Sequence, residues 1–175
     1  MNEQLKDIFS NINDWLKFAE AKTGTLLAGN GVLIFGILRI IKGSTIPEAL
    51  SIYITFAIVL LSISMFLCLL SFVPSLAMPF VFGTGKPNKD DNILFFLDAA
   101  KYTTSEFLIK LAQSKGIESN DFSEHDHFYA EQIISNSQIA LKKYKLFNAA
   151  IWLTITAIFT PIVSVITWMI NKLWH

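Results

Sequence analysis

Three stretches of this chain carry no charged side chain over lengths that match the thickness of a lipid bilayer. None lies between Lys22 and Arg39, none between Glu48 and Lys86, and none from Leu146 to Asn171. Roughly 20 apolar helical residues cross the hydrocarbon, and about 17 suffice when flanking Lys or Arg side chains reach back to the headgroups. All three stretches meet that limit, the first with least to spare. Apolar residues make up 53% of the chain, above the roughly 45–50% usual for soluble domains. Of the 175 residues, spans of this length take about 65 to 75, which leaves too little for a second folded domain. The expected fold is all-α: an integral membrane bundle of three transmembrane helices with a cytoplasmic helical stalk.

The pattern along the chain divides this single domain, 1–175. Leu5, Ile8, Phe9, Ile12, Trp15, Leu16 and Ala19 form one helical stripe, so 1–22 is expected to be an amphipathic helix. It mixes both charge signs and lacks a cleavage motif, so the first span, 23–41, is expected to be retained. The second span, 49–73, begins after Pro47, which suits a helix start, and Pro74 and Pro79 are expected to end it, leaving 76–82 in the interface. Over 83–145 a polar linker leads to two helices. Ile93, Phe96, Leu97, Ala100, Thr104, Phe107, Leu108 and Leu111 make the face of the first, which Lys115 and Gly116 stop. Ser123 and Asp126 form a variant capping box for the second, whose face is Phe128, Ile133, Ile134, Ser137, Leu141 and Tyr144. No breaker separates it from the third span, 146–170, where Pro161 predicts a kink.

Charge distribution sets orientation. Lys6, Lys17, Lys22, Lys86, Lys89, Lys101, Lys110, Lys115, Lys142, Lys143 and Lys145 fall on one side of the three spans, against Arg39, Lys42 and Lys172 on the other. The positive-inside bias puts the N-terminus in the cytoplasm and the C-terminus outside. Net charge is zero, so nucleic acid is not an expected partner; the bilayer is.

Signatures of catalysis are missing. Gly83, Thr84, Gly85 and Lys86 lack the upstream Gly of a phosphate loop, and Pro87 stands where it needs Ser or Thr. Glu124, His125, Asp126 and His127 do not share a helical face in the way a metal site would need. Cys68, the sole cysteine, lies in the second span and reads as a packing residue. No enzyme, metal or cofactor is expected. Within the spans, Gly24 and Ala28 form a small-xxx-small pair, Gly31 continues it, and Asn30 is an amide in hydrocarbon that needs a partner, either within the subunit or on another copy.

Two blocks carry a family likeness. Trp15–Gly31 reads WLKFAEAKTGTLLAGNG and Tyr129–Trp152 reads YAEQIISNSQIALKKYKLFNAAIW. Both resemble the transmembrane effector family of Pycsar, the bacterial antiphage system that signals with cyclic pyrimidine monophosphates. Glu20 and Lys22 match its acid-x-Lys position, where Asp is more usual, Asn30 matches its Asn in the apolar run, and Lys143 with Tyr144 matches its basic-aromatic pair. The resemblance implies an inner-membrane protein that responds to cyclic UMP or cyclic CMP and impairs the membrane to arrest the infected cell, acting as a homo-oligomer. A cyclic monophosphate needs a cation and an aromatic face, and Trp15, Lys22, Lys142, Lys143, Tyr144 and Lys145 are the candidates. Glu20, Gly24, Ala28, Asn30, Gly31 and Pro161 are candidates for helix packing and gating. The rival readings are a membrane-anchored interaction module without permeability activity and, more remotely, a small transporter.

The lysine asymmetry predicts that a reporter fused after His175 is active only outside the cytoplasm and that a protease cuts 83–91 only from inside. A C-terminal reporter active in the cytoplasm contradicts the three-span orientation.

Overall fold

The computed structural model describes residues 2–43, 47–73, 85–117 and 121–174. Five helices are found among them: α1 Asn2–Gly43, α2 Glu48–Phe72, α3 Phe96–Ala99, α4 Thr104–Gln113 and α5 Glu124–Trp174, with no strand among the described residues. The expectations placed on Pro74, Pro79, 76–82, Gly83, Thr84 and His175 lie outside the described residues.

Local chemistry sets the helix ends. Pro47 sits at the N-cap of α2 with ψ 141°, and its carbonyl accepts the Ser51 N–H at 3.0 Å. At the other end Val73 is extended, with φ −67° and ψ 129°, the conformation the following proline ring imposes. Ser123 and Asp126 cap α5 reciprocally: the Asp126 N–H donates to Ser123 Oγ and the Ser123 N–H to Asp126 Oδ2, each at 3.2 Å. Asp thus replaces the usual Glu. The helix then runs 51 residues without interruption, with Pro161 inside it.

One expected helix is two. The apolar run from Ile93 to Leu111 breaks after Ala99, and α4 restarts at Thr103, whose Oγ accepts the Glu106 N–H while its own N–H donates to Glu106 Oε2 at 2.9 Å. Gly116, at φ +68°, lets the Ile117 N–H reach back to the Ala112 carbonyl at 3.1 Å, the left-handed turn that glycine makes at a helix end. Because of the break, Leu97 is exposed. Phe128 is exposed as well: it precedes buried Ala130 by two residues, which puts it on the opposite side of α5.

The chain forms two compact units, Met1–Glu20 with Pro74–Lys145, and Ala21–Val73 with Leu146–His175. In the first, Leu5, Ile8 and Ile12 of α1 pack with Phe96, Phe107, Leu108 and Leu111 and with Ile133, Ile134 and Leu141 of α5. This is an ordinary hydrophobic interior, each large side chain contributing about 1.5–3 kcal/mol. In the second, polarity is inverted. Val32, Phe35, Ile52 and Trp152 are 62–73% exposed, while the buried positions are Thr23, Asn30, Ala57, Ser64, Cys68, Ser71, Ala150, Thr154 and Ala157 with Leu61 and Leu146. Small and polar residues at helix contacts with large apolar residues outside is how helices pack in lipid. Among the described residues, three helices are long and apolar enough to cross a membrane.

A polar hub pins the turn between the linker and α4. Lys101 Nζ donates to Asp91 Oδ1 at 2.8 Å and to Asp98 Oδ1 at 2.6 Å, and Tyr102 donates to the Asn88 carbonyl at 2.9 Å. The Lys101 hydrogen bond holds the Asp91 carboxyl below the usual carboxylate range, and the same bond raises Lys101. A carboxyl whose folded pKa is depressed adds stability that is complete above its unfolded value, about 3.9, and is lost as pH falls toward the lower folded value. Hydrogen-exchange protection of 88–102, corrected for intrinsic exchange, is therefore expected to fall below about pH 4. Asp91→Asn should lack that step; an identical pH profile in the variant contradicts the assignment.

Candidate functional site

The first unit gathers aromatic rings from three elements. Trp15 of α1 lies 6.3 Å from Tyr144 of α5, 5.9 Å from Phe95 and 5.7 Å from Phe96 between ring centroids. Phe96 stacks on Tyr144 at 5.0 Å with 20° between planes. Trp15 and Tyr144, matched as candidates from the sequence, do converge, and Phe95 joins them unforeseen. Its signal was the Phe95–Phe96 doublet: adjacent rings cannot share one helical face, and both reach this cluster because Phe95 is the extended N-cap of α3 and Phe96 its first residue. Beside it, Lys143 Nζ lies 3.1 Å from Glu20 Oε1, the lysine 13% and the carboxylate 48% exposed. Glu20 is thus an ion-pair partner in this unit rather than a packing residue of the spans. Lys142 is half-buried and Lys145 exposed. Lys22 belongs to the second unit, its Nζ 5.8 Å over the Phe147 ring. Of the histidines, His125 lies against Tyr129 and His127 against Phe122.

The second unit contains a polar node with one side chain from each span. Asn30 Nδ2 donates to Ser64 Oγ at 2.8 Å, Ser64 Oγ and Thr154 Oγ1 are 2.9 Å apart, and Thr154 Oγ1 donates to Asn30 Oδ1 at 3.1 Å. With Ser64 donating to Thr154 the three close a cycle in which each side chain both donates and accepts a hydrogen bond. The Ala150 carbonyl, 2.8 Å from Ser64 Oγ and 3.1 Å from Thr154 Oγ1, offers a further acceptor. Asn30 therefore finds its partners inside the subunit. In lipid such bonds contribute on the order of 0.6–2 kcal/mol each, and leaving the amide unmatched costs several kcal/mol by apolar-transfer estimates. A Cβ on Gly24 would meet Phe72 and one on Gly31 would meet Met65, both at 4.0 Å. Both glycines thus face α2, whereas Ala28 is exposed, so Gly24 and Ala28 do not act as a pair within this unit. Pro161 lacks the N–H that the Ala157 carbonyl would otherwise accept.

Apolar spans with a polar seam, joined in sequence to a unit with an ordinary hydrophobic core, define a multi-pass α-helical membrane protein. The family model of the Pycsar effector protein domain matches residues 4–170, and the chain belongs to that family. Its role is that of an effector in Pycsar antiphage defence. No curated protein and no solved structure matches it.

Because both partners of Asn30 lie in its own chain, Asn30→Leu is expected to lower thermal stability in detergent by about 1–2 kcal/mol with oligomeric state unchanged. Lost self-association at unchanged stability would place the amide between copies instead.

Proposed function

We propose that the protein sits in the bacterial inner membrane with its N-terminus in the cytoplasm and its C-terminus outside, and that a cyclic pyrimidine mononucleotide, cyclic UMP or cyclic CMP, switches it to a state that breaches the membrane and arrests the infected cell. The family match over 4–170 carries this reading. It invokes no catalytic step and no cofactor, and copies of the chain act together as a homo-oligomer.

The ligand site is assigned to the first unit, at Trp15, Phe95, Phe96, Tyr144 and Lys143, flanked by Lys142 and Lys145. A cyclic monophosphate carries one negative charge and a flat base. Its phosphate competes with Glu20 for Lys143, 3.1 Å away, and its base stacks among rings already spaced 5–6 Å apart. Exchanging Glu20 for phosphate unties α1 from α5 at that point. Both helices continue into the spans, and a ligand that prefers the untied arrangement shifts the population toward it.

The test is direct. Cells expressing the protein alone are supplied with cyclic UMP or cyclic CMP, and membrane potential is followed with a dye. Collapse is expected; retention of potential favours the interaction-module alternative, for which exposed Leu94, Leu97 and Ile109 supply apolar surface. Titration in detergent locates the site: Lys143→Ala should weaken nucleotide binding at least about tenfold, the loss of one charge-assisted contact, while Glu20→Gln, which removes the competitor, should tighten it. Unchanged affinity in both variants removes this site.

A further inference from the structure

Hydroxyl groups of the second unit behave in two ways. Several on its outer surface close onto their own helix: Thr25 donates to the Ala21 carbonyl at 2.9 Å, Thr55 to Ser51 at 2.9 Å, Ser62 to Ile58 at 2.8 Å and Thr156 to Trp152 at 2.9 Å. These satisfy the rule that no polar group faces lipid unpaired. The buried ones face inward on one seam. On α2 the buried positions are Ala57, Leu61, Ser64, Cys68 and Ser71, alternating steps of four and three, which keeps them on one line.

That seam changes character along its length. Toward one end it carries hydroxyl, amide and thiol groups: Ser64, Cys68 and Ser71 of α2 with Thr23 and Asn30 of α1 and Thr154 of α5, all at most 5% exposed. Toward the other it is closed by a wholly apolar layer of Ala57, Leu61 and Ala157, at most 2% exposed, packed against Ile34, Ile37 and Leu60. A polar passage ending in a hydrophobic constriction is the arrangement by which channels exclude water at rest.

We propose that the inner seam is the lining of the activated state: Asn30, Ser64, Cys68 and Thr154 meet water and small ions, and the Leu61 layer is the gate that keeps them dry at rest. The inference rests on the membrane-breaching reading above. As it stands the seam is packed shut, so activation must part the spans, exchanging the Asn30–Ser64–Thr154 bonds for bonds to water. Neutral oxygens line the path, so it passes ions without a fixed charge to select their sign.

Cys68 is the chain's sole cysteine and reports on the seam without mutation. The full chain in phospholipid vesicles is treated with cyclic UMP or cyclic CMP, ion leak is followed with a potential dye, and a charged methanethiosulfonate probes the thiol. Labelling is expected to accelerate at least about tenfold together with the leak, as a buried thiol becomes wet. Leu69→Cys in a Cys68→Ser background, on the outer face at 52% exposure and only one residue along the helix, about 1.5 Å in depth, should stay unlabelled. Leu61→Asn should leak without nucleotide. Leak with Cys68 unlabelled, or equal labelling from the outer face, overturns the lining and leaves the effector function standing. A tight Leu61→Asn variant overturns the gate, and no leak with either nucleotide overturns this inference together with the function it rests on.

Discussion

A polar atom in hydrocarbon has no water to bind, and that requirement organises the second unit. Asn30 is its hardest case, because the amide has donors and an acceptor to satisfy and a helix supplies neither. The answer is the cycle with Ser64 and Thr154, which fixes the rotation of all three spans about their axes. Once Asn30 faces Ser64, Thr23 lies seven residues back on the same side, and Leu33 and Phe35 turn outward. Apolar packing alone would leave the rotation weakly determined, since lipid tails solvate leucine as well as another leucine does.

The same helices obey the opposite rule in the first unit. α1 buries Leu5, Ile8 and Ile12 there and Thr23 and Asn30 in the second; α5 buries Ile133, Ile134 and Leu141 in one and Ala150, Thr154 and Ala157 in the other. The helical period continues while the buried residue type inverts, because only the solvent differs. A single helix that reads both environments fixes where lipid begins without a loop or cap to mark it.

Much of this was legible from residue order. Charge-free length located the spans, the lack of a breaker between Ser123 and Leu146 predicted the long α5, and the Leu5–Ala19 stripe named the face that α1 buries. The break before α4 was missed because hydrophobic spacing runs through it; the Thr103-x-x-Glu106 cap was the better signal, and it is as readable as the Ser123–Asp126 cap that was used. The small-xxx-small pattern named Gly24 and Ala28 together, and within the subunit only the glycine lies against α2 while Ala28 faces outward. The partners of Asn30 were beyond reach: Ser64 and Thr154 are 34 and 124 residues away, and the spans contain many hydroxyls. Only the fold separates those bonded across helices from those spent on their own backbone.

Besides the exposed Lys17–Asp14 pair, two lysines of the first unit, Lys101 and Lys143, are paired with carboxylates, and their surroundings decide which can serve a ligand. Lys101 is 18% exposed and bonded by Asp91 and Asp98, themselves 7% and 19% exposed. An anion arriving there would have to break two hydrogen-bonded pairs and unmake the turn that Tyr102 and Asn88 complete, and it would meet a net negative site. Lys143 is paired with Glu20, which is nearly half exposed. The carboxylate is the open half of this pair, at 48% exposure against 13% for the lysine, so water takes Glu20 back more readily than it would the carboxylates of Asp91 and Asp98 once a phosphate occupies its place. Lys143 also lies next in sequence to Tyr144, whose ring is stacked on Phe96, so one short stretch of α5 presents cation and aromatic face together. Exchangeability, more than charge, sets Lys143 apart from Lys101.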